Sequence, residues 1–260
     1  NPEDYAKHSN PQLTWANESI AKLSLSGREA ILDVGCGDGK ITAKFATAVP
    51  YGFVLGVDSS AAFIDYTRLH YPPSTYPNLQ FEQMDARQLA YGRQFDIVFS
   101  NAVLHWIEDH QAAVAGCARL LKPRGRLMIS CGGSGNAGDF IAIAENLMNQ
   151  HPWKQYFMGF TFPYYFYSPA KYEDWVSSAG LDPARVELVE KDMTHQGREA
   201  LAAWVRTTWM PYTSRVPENM RETFILGCVD AYLSKYPVDE QGRSHLKMVR
   251  LEVEAFKGSV

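Results

Sequence analysis

Apolar and polar positions follow a repeating order through the first half of the chain. Ala30-Ile31-Leu32-Asp33-Val34 is a short apolar run that stops at Gly35-Cys36-Gly37-Asp38-Gly39, and a helical stretch over 40–49 follows at once. The order then recurs: an apolar run over 53–58, and a predicted helix over 59–70 with Ser59 or Ser60 as N-cap. Residues 79–84 alternate at period two, as a half-buried strand does. Residues 95–100 and 126–131 read as the fourth and fifth strands, with a helix over 111–121 between them. A parallel neighbour cannot be reached by a hairpin, so strands alternating with helices require crossovers. The first 131 residues therefore predict a doubly wound α/β sheet.

Beyond Cys131 the pattern changes. A glycine-rich link over 132–136 leads to a predicted helix over 137–150 and then to a dense aromatic stretch from Trp153 to Tyr167. Helices are predicted over 171–179, 197–209 and 217–233, and strands over 185–189 and 245–256. The first 28 residues are polar and helical, with Trp15, Ile20, Leu23 and Leu25 as intermittent apolar positions. The expected organisation is an N-terminal lid segment (1–28), a sheet core (29–131), a helical and aromatic cap (132–183 and 192–244), and two strands returning to the core (184–191 and 245–260).

Composition narrows the function classes. With 46% hydrophobic and 21% charged residues, the 260-residue chain can bury a sizeable core. A net charge of −4 argues against a nucleic-acid partner, which would be met by clustered Lys and Arg. Cys36, Cys117, Cys131 and Cys228 lie far apart, so neither a metal site nor a disulfide framework is expected. No run approaches the ~20 apolar residues of a membrane span, and the opening residues do not read as a signal peptide. The expected setting is the cytoplasm. The oligomeric state is not readable.

In an open parallel sheet, ligands sit beyond the carboxyl ends of the strands, and the residues there form a set. The turn from Asp33 to Gly39 has three glycines at alternate positions, so it can take unusual dihedrals and let a ligand touch backbone amides. Its third glycine falls one place early for the dinucleotide fingerprint, with Lys40 in the expected slot, which suits a ligand without a pyrophosphate. Asp58 ends the second strand where a carboxylate can accept both hydroxyls of a ribose. Asp85 ends the third, where it could accept from a purine amine while Met84 or Ala86 packs on the ring. Asn101 to Trp106 follows the fourth, with His105 and Trp106 beside the expected reactive end of the ligand. Each also has a plainer reading, as turn, cap or core residue.

Together these motifs, Asp33-Val-Gly-Cys-Gly-Asp-Gly39, Asp58-Ser59, Met84-Asp85-Ala86 and Asn101-Ala-Val-Leu-His-Trp106, resemble those of class I S-adenosylmethionine (SAM)-dependent methyltransferases. The resemblance implies a seven-stranded, mostly parallel, Rossmann-like sheet with a helical cap, its last strand antiparallel between the fifth and sixth. It implies SAM as cofactor, bound by Asp33, Gly35, Cys36, Gly37, Asp58, Ser59, Asp85, Ala86, Asn101 and Trp106, with Gln12 near its carboxylate. The second half is similar to the branch containing trans-aconitate and juvenile-hormone-acid methyltransferases, which esterify carboxylates. The matching pieces are Leu104-His-Trp-Ile107, Phe162-Pro163-Tyr164 and the segment from Trp204 to Tyr212.

The resulting expectation is a small-molecule methyltransferase acting on a carboxylate oxygen. An ionised carboxylate needs no general base, whereas a hydroxyl, amine or carbon acceptor of an apolar natural product could call on His105 or His195. Trp153, Phe162, Tyr164 and Tyr167 are candidate substrate-lining residues, each equally able to be core, and Arg206 could pair with a substrate carboxylate. Trp106 could face the sulfonium with its ring. The competing classes are a nucleic-acid methyltransferase, a non-enzymatic SAM-binding protein and, more distantly, a nicotinamide-dependent oxidoreductase.

Overall fold

The computed structural model describes residues 20–259, so the expectations for Gln12 and for the lid segment through residue 19 lie outside the described residues. A seven-stranded sheet runs in the order β3-β2-β1-β4-β5-β7-β6. The strands are β1 Ala30–Val34, β2 Phe53–Asp58, β3 Leu79–Gln83, β4 Phe95–Asn101, β5 Leu121–Gly132, β6 Leu181–Gln196 and β7 Arg243–Lys257. The pairs β1–β2, β1–β4, β2–β3 and β4–β5 are parallel, and β7 is antiparallel to β5. The doubly wound sheet and the place of its last strand are as the sequence predicts.

The chain divides into two compact units. Unit 1 holds residues up to Ser134, Tyr165–Val189 and Arg250 onward; unit 2 holds Gly135–Tyr164 and Glu190–Val249. In unit 1, α1 Lys40–Ala48, α2 Ala61–His70, α3 His110–Leu120 and α5 Pro169–Ser178 accompany the sheet. The two sides of β1 explain its unbroken apolar run: Leu32 and Val34 join one buried cluster and Ile31 joins another. A strand covered on both faces shows no alternation. Helix starts are fixed locally. Ser60 accepts from the Phe63 N–H at 3.4 Å, and Asp109 accepts from the Ala112 N–H at 2.9 Å.

One boundary differs from the sequence reading. The helix α5 was expected in the cap, yet it belongs to unit 1, where Tyr172 and Val176 are fully buried with Leu127 and Val114. The Tyr172 hydroxyl meets His110 Nδ1 at 2.5 Å, which ties α5 to α3.

Unit 2 comprises α4 Gly138–Met148, α6 Gly197–Thr208, the short α7 Met210–Thr213 and α8 Glu218–Lys235, with the aromatic stretch up to Tyr164. Its interior is built of rings. Phe140 packs against Trp204, Trp209 and Tyr232 at centroid distances of 5.7, 5.0 and 5.5 Å. Phe224 packs against both Trp153 and Phe157 at 5.2 Å. Such pairs add about 0.5–1.5 kcal/mol each beyond the area they bury.

Candidate active site

The strand order reverses between β1 and β4, and the C-terminal ends of β3, β2, β1 and β4 lie side by side there. The turn after β1 is shaped by close approach. Gly35 has φ +79°, and a Cβ on it would sit 2.2 Å from a Val103 methyl, so nothing larger fits. Gly37 and Gly39 also have positive φ, 52° and 78°. Opposite Gly35, Ala102 holds φ +60°, an uncommon conformation for a residue with a Cβ, and its N–H donates to the Ser130 carbonyl at 2.7 Å. Strained backbone of this kind clusters at functional sites.

The hydrogen bonds of the turn correct one expectation. Four of its amides do not stand open for a ligand. Gly35 and Cys36 donate to the Val57 carbonyl at 2.7 and 3.0 Å, Gly37 donates to Asp58 Oδ2 at 3.1 Å, and Gly39 donates to the Cys36 carbonyl at 2.9 Å. The turn therefore presents Asp58 beside backbone whose N–H groups at Gly35, Cys36, Gly37 and Gly39 are already bonded, rather than a cradle of free amides. Asp58 also accepts the Ser60 N–H on Oδ1 at 2.9 Å, so both of its oxygens are oriented by the backbone while each keeps a further lone pair.

Asp33 sits behind the turn, 3% exposed, and accepts from Thr42 Oγ1 at 2.7 Å. Burial pushes its pKa up to about 7; the Thr42 hydrogen bond opposes this, while nearby Asp58 and Asp38 add to it. Three carboxyl groups thus crowd one glycine turn. Sequence reading passed over Asp38, which pairs with Lys40 at 3.3 Å, and its place between two glycines was the available signal. Cys36 is buried, and burial raises its thiol well above the usual range, so it acts as packing.

At the end of β3, Asp85 is held by Arg87, whose guanidinium and backbone N–H both donate to it. That contact holds its carboxyl below the usual range. Ala86 is buried and Ser59 is exposed. At the end of β4, the Asn101 side-chain oxygen accepts from Arg250 at 2.7 Å, and Arg250 also donates from Nε to Ser130 Oγ at 2.9 Å. Arg250 is 4% exposed, and its role escaped the sequence because it stands inside an otherwise alternating strand.

His105 is corrected as a general base. Its Nδ1 accepts the Gly132 N–H at 3.1 Å, and burial, with Arg250 and His110 adding, lowers its pKa to about 3. At neutral pH the ring is uncharged with its proton on Nε2, so it can donate there but not remove a proton. Trp106 is 44% exposed, with its ring 5.7 Å from that of His105. Tyr167 lies in unit 1, where its hydroxyl donates to the Glu108 carbonyl at 2.9 Å and its ring packs edge-on against His110.

The remaining candidates belong to unit 2. Trp153 is buried against Phe224 as core. The Tyr164 hydroxyl donates to the Thr208 carbonyl at 2.9 Å. Phe162 lines a cavity. Arg206, expected to await a substrate carboxylate, is already paired with Glu222 through both Nε and Nη2. His195 is lowered by burial, and its ring lies 5.7 Å from that of Trp204. Among the described residues, no group of His, Cys, Asp and Glu could hold a metal ion, and no helix is long and apolar enough to cross a membrane.

A doubly wound sheet of this strand order, with a glycine turn after β1 and an acid after β2, is the arrangement that the resemblance to methyltransferases implies. Comparison with known proteins agrees. Residues 32–129 match the methyltransferase domain family. The chain is 28% identical to trans-aconitate 2-methyltransferase of Shigella flexneri, over 98% of this chain and 97% of that one. Among solved structures it is similar to the YcgJ protein of Bacillus subtilis, with TM-score 0.66, 18% identity, and coverage of 94% of this chain and 97% of that one. It is also similar to magnesium protoporphyrin IX methyltransferase of Synechocystis PCC 6803 with bound S-adenosylhomocysteine, with TM-score 0.56, 15% identity, and coverage of 96% and 84%. The chain is a SAM-dependent methyltransferase, and SAM is its cofactor.

Proposed function

We propose that SAM is held along the edge formed by the Asp33–Gly39 turn, Asp58, Ser59, Asp85, Ala86 and Asn101, and that the methyl acceptor is a carboxylate oxygen of a small molecule. When bound, SAM supplies an electrophilic methyl group on a sulfonium. The residues fit it: Asp58 is preset to accept from a ribose diol, and the carboxylates of Asp58 and Asp85 stand at adjacent strand ends. Asp85 would share its carboxylate between Arg87 and the adenine amine.

The observation that carries the acceptor class is the state of His105. With Nδ1 engaged by the Gly132 N–H, the imidazole at this edge cannot act as base. An acceptor ionised at neutral pH needs none, and a carboxylate is the simplest such group. What remains for the protein is positioning, which can supply roughly 7–11 kcal/mol of a barrier. Ala102 and Arg250 serve that end by fixing Asn101. The 28% identity to an enzyme named for methylating trans-aconitate supports the same class. Four buried free cysteines suit a reducing, cytoplasmic setting.

The test is incubation with methyl-labelled SAM and matched aryl-alkyl carboxylic acids, phenols and amines. Label released as methanol by mild alkali marks an ester and supports the reading. Alkali-stable label on phenols or amines, with none on acids, refutes it.

A further inference from the structure

The turn between α8 and β7 is built around one carboxylate. Asp239 Oδ1 accepts the Gln241 and Arg243 N–H groups at 2.9 and 2.8 Å, and Arg243 Nε donates to Oδ2 at 2.9 Å. The Asp239 N–H donates to the Arg243 carbonyl at 2.8 Å, and the Gly242 N–H donates to the Asp239 carbonyl at 2.9 Å. The Arg243 N–H, with His245, the Arg243 guanidinium and the Gln241 N–H adding, holds the Asp239 carboxyl far below the usual carboxylate range.

His245 joins this turn to β6, the edge strand of the sheet. Its Nε2 lies 3.1 Å from Asp239 Oδ2, and its Nδ1 lies 2.7 Å from Asp192 Oδ2 on β6. A neutral imidazole carries one N–H, and an ionised carboxylate only accepts. Both contacts are therefore hydrogen bonds only when the ring carries two protons. Asp192, and then Asp239, raise its pKa above the ordinary value accordingly.

The other charged groups around the ring are engaged with one another or with the backbone. Lys247 on β7 pairs with Glu190 on β6, Lys235 on α8 lies over the Tyr236 ring at 5.2 Å, and Asp139 on α4 accepts from the Tyr236 hydroxyl at 2.8 Å. The Tyr232 hydroxyl of α8 donates to the His245 carbonyl at 2.8 Å, which fixes the backbone under the ring to the aromatic interior. Among the described residues, His245 is the only hydrogen-bond partner of the Asp192 side chain, whereas Asp239 keeps the donors of its own turn.

We propose that His245 is a proton-operated clasp in unit 2. Charged, it holds the turn over 239–242 to the edge strand. When the ring loses a proton as pH rises, the Nδ1–H stays with Asp192, the bare Nε2 faces a carboxylate, and the turn is released. The stabilisation is fully present below about 6.5, the ordinary value for the ring, and is lost as pH climbs through the raised value of the folded chain. The opening is confined to the turn, because Tyr232 and Tyr236 hold the segments on either side. The inference goes beyond the methyl-transfer reading and does not rest on it, because every group named lies in unit 2.

Ring-nitrogen NMR of the full chain between about pH 5 and 9 tests it, with amide exchange corrected for its intrinsic rate and His245→Gln to assign the ring. The ring titrates above about 6.5, carries protons on both nitrogens below its midpoint, and keeps only the Nδ1 proton above it. Protection of the Gln241 and Arg243 amides falls about three- to tenfold through that midpoint, and His245→Gln shows no such step. Asp192→Asn lowers the midpoint by about half a unit. A midpoint at or below about 6.5, a neutral ring protonated on Nε2, constant protection across the midpoint, the same step in His245→Gln, or an unmoved midpoint in Asp192→Asn overturns the proposal.

Discussion

The glycine turn of unit 1 and the ring cluster of unit 2 are made of opposite materials. Around the turn, Asp33, Asp38 and Asp58 crowd a backbone stripped of Cβ atoms, and the chain's own amides are used to aim the carboxylates. In unit 2 the interior is rings on rings, and Arg198 and Arg206 pair with Asp230 and Glu222 at the surface. The first arrangement tolerates little change, because a Cβ at Gly35 meets Val103. The second is dense aromatic packing, in which truncating a buried ring such as Phe140 or Phe224 leaves a cavity.

The contrast breaks first at Gly35. Gly35→Ala places a Cβ 2.2 Å from Val103 at a φ of +79°. It should cost about 3 kcal/mol in urea unfolding, as strain and overpacking add. Adding Val103→Ala should return the overpacking part only. A Gly35→Ala protein as stable as the wild type would mean the turn is looser than described.

The next effect is the pH dependence of Asp33, whose pKa in the folded state is raised to about 7. The folded chain keeps a proton that the unfolded chain loses near 3.9, so this group's contribution to stability falls as pH climbs from about 4 to about 7. Asp33→Asn should remove roughly 2 kcal/mol from the difference in stability between pH 5 and pH 8. Identical pH profiles for the two proteins would contradict the burial argument.

The smallest effect belongs to unit 2. Arg206→Ala breaks an exposed pair with Glu222 and should change stability by less than about 1 kcal/mol, with no change in transfer. A large rise in KM for acid substrates would restore Arg206 as an anchor for them.

Periodicity made the sheet legible. The parallel strands and the positions of Asp58, Asp85 and Asn101 at their ends follow from local runs of residues, whereas the place of the last strand came from the family resemblance. What could not be read locally is what depends on distant pairing. Arg250 reaches Asn101 across 149 positions, and Tyr172 draws α5 to unit 1 by meeting His110 across 62. The occupation of Arg206 by Glu222 and of His105 by a backbone N–H likewise arises only on folding, and each removes a chemical role that the residue type alone suggested. Hydrogen bonds inside the glycine turn acted the same way, converting an expected cradle of free amides into bonded backbone beside Asp58.

The most direct measurement is calorimetric titration of SAM into the wild-type chain and Asp58→Ala at neutral pH, with circular dichroism to verify the fold. Removing an acceptor whose two oxygens are preset by Gly37 and Ser60 should weaken binding about 100-fold, the scale of two lost charge-assisted hydrogen bonds. An affinity within about twofold of the wild type would place the nucleoside elsewhere and contradict the account.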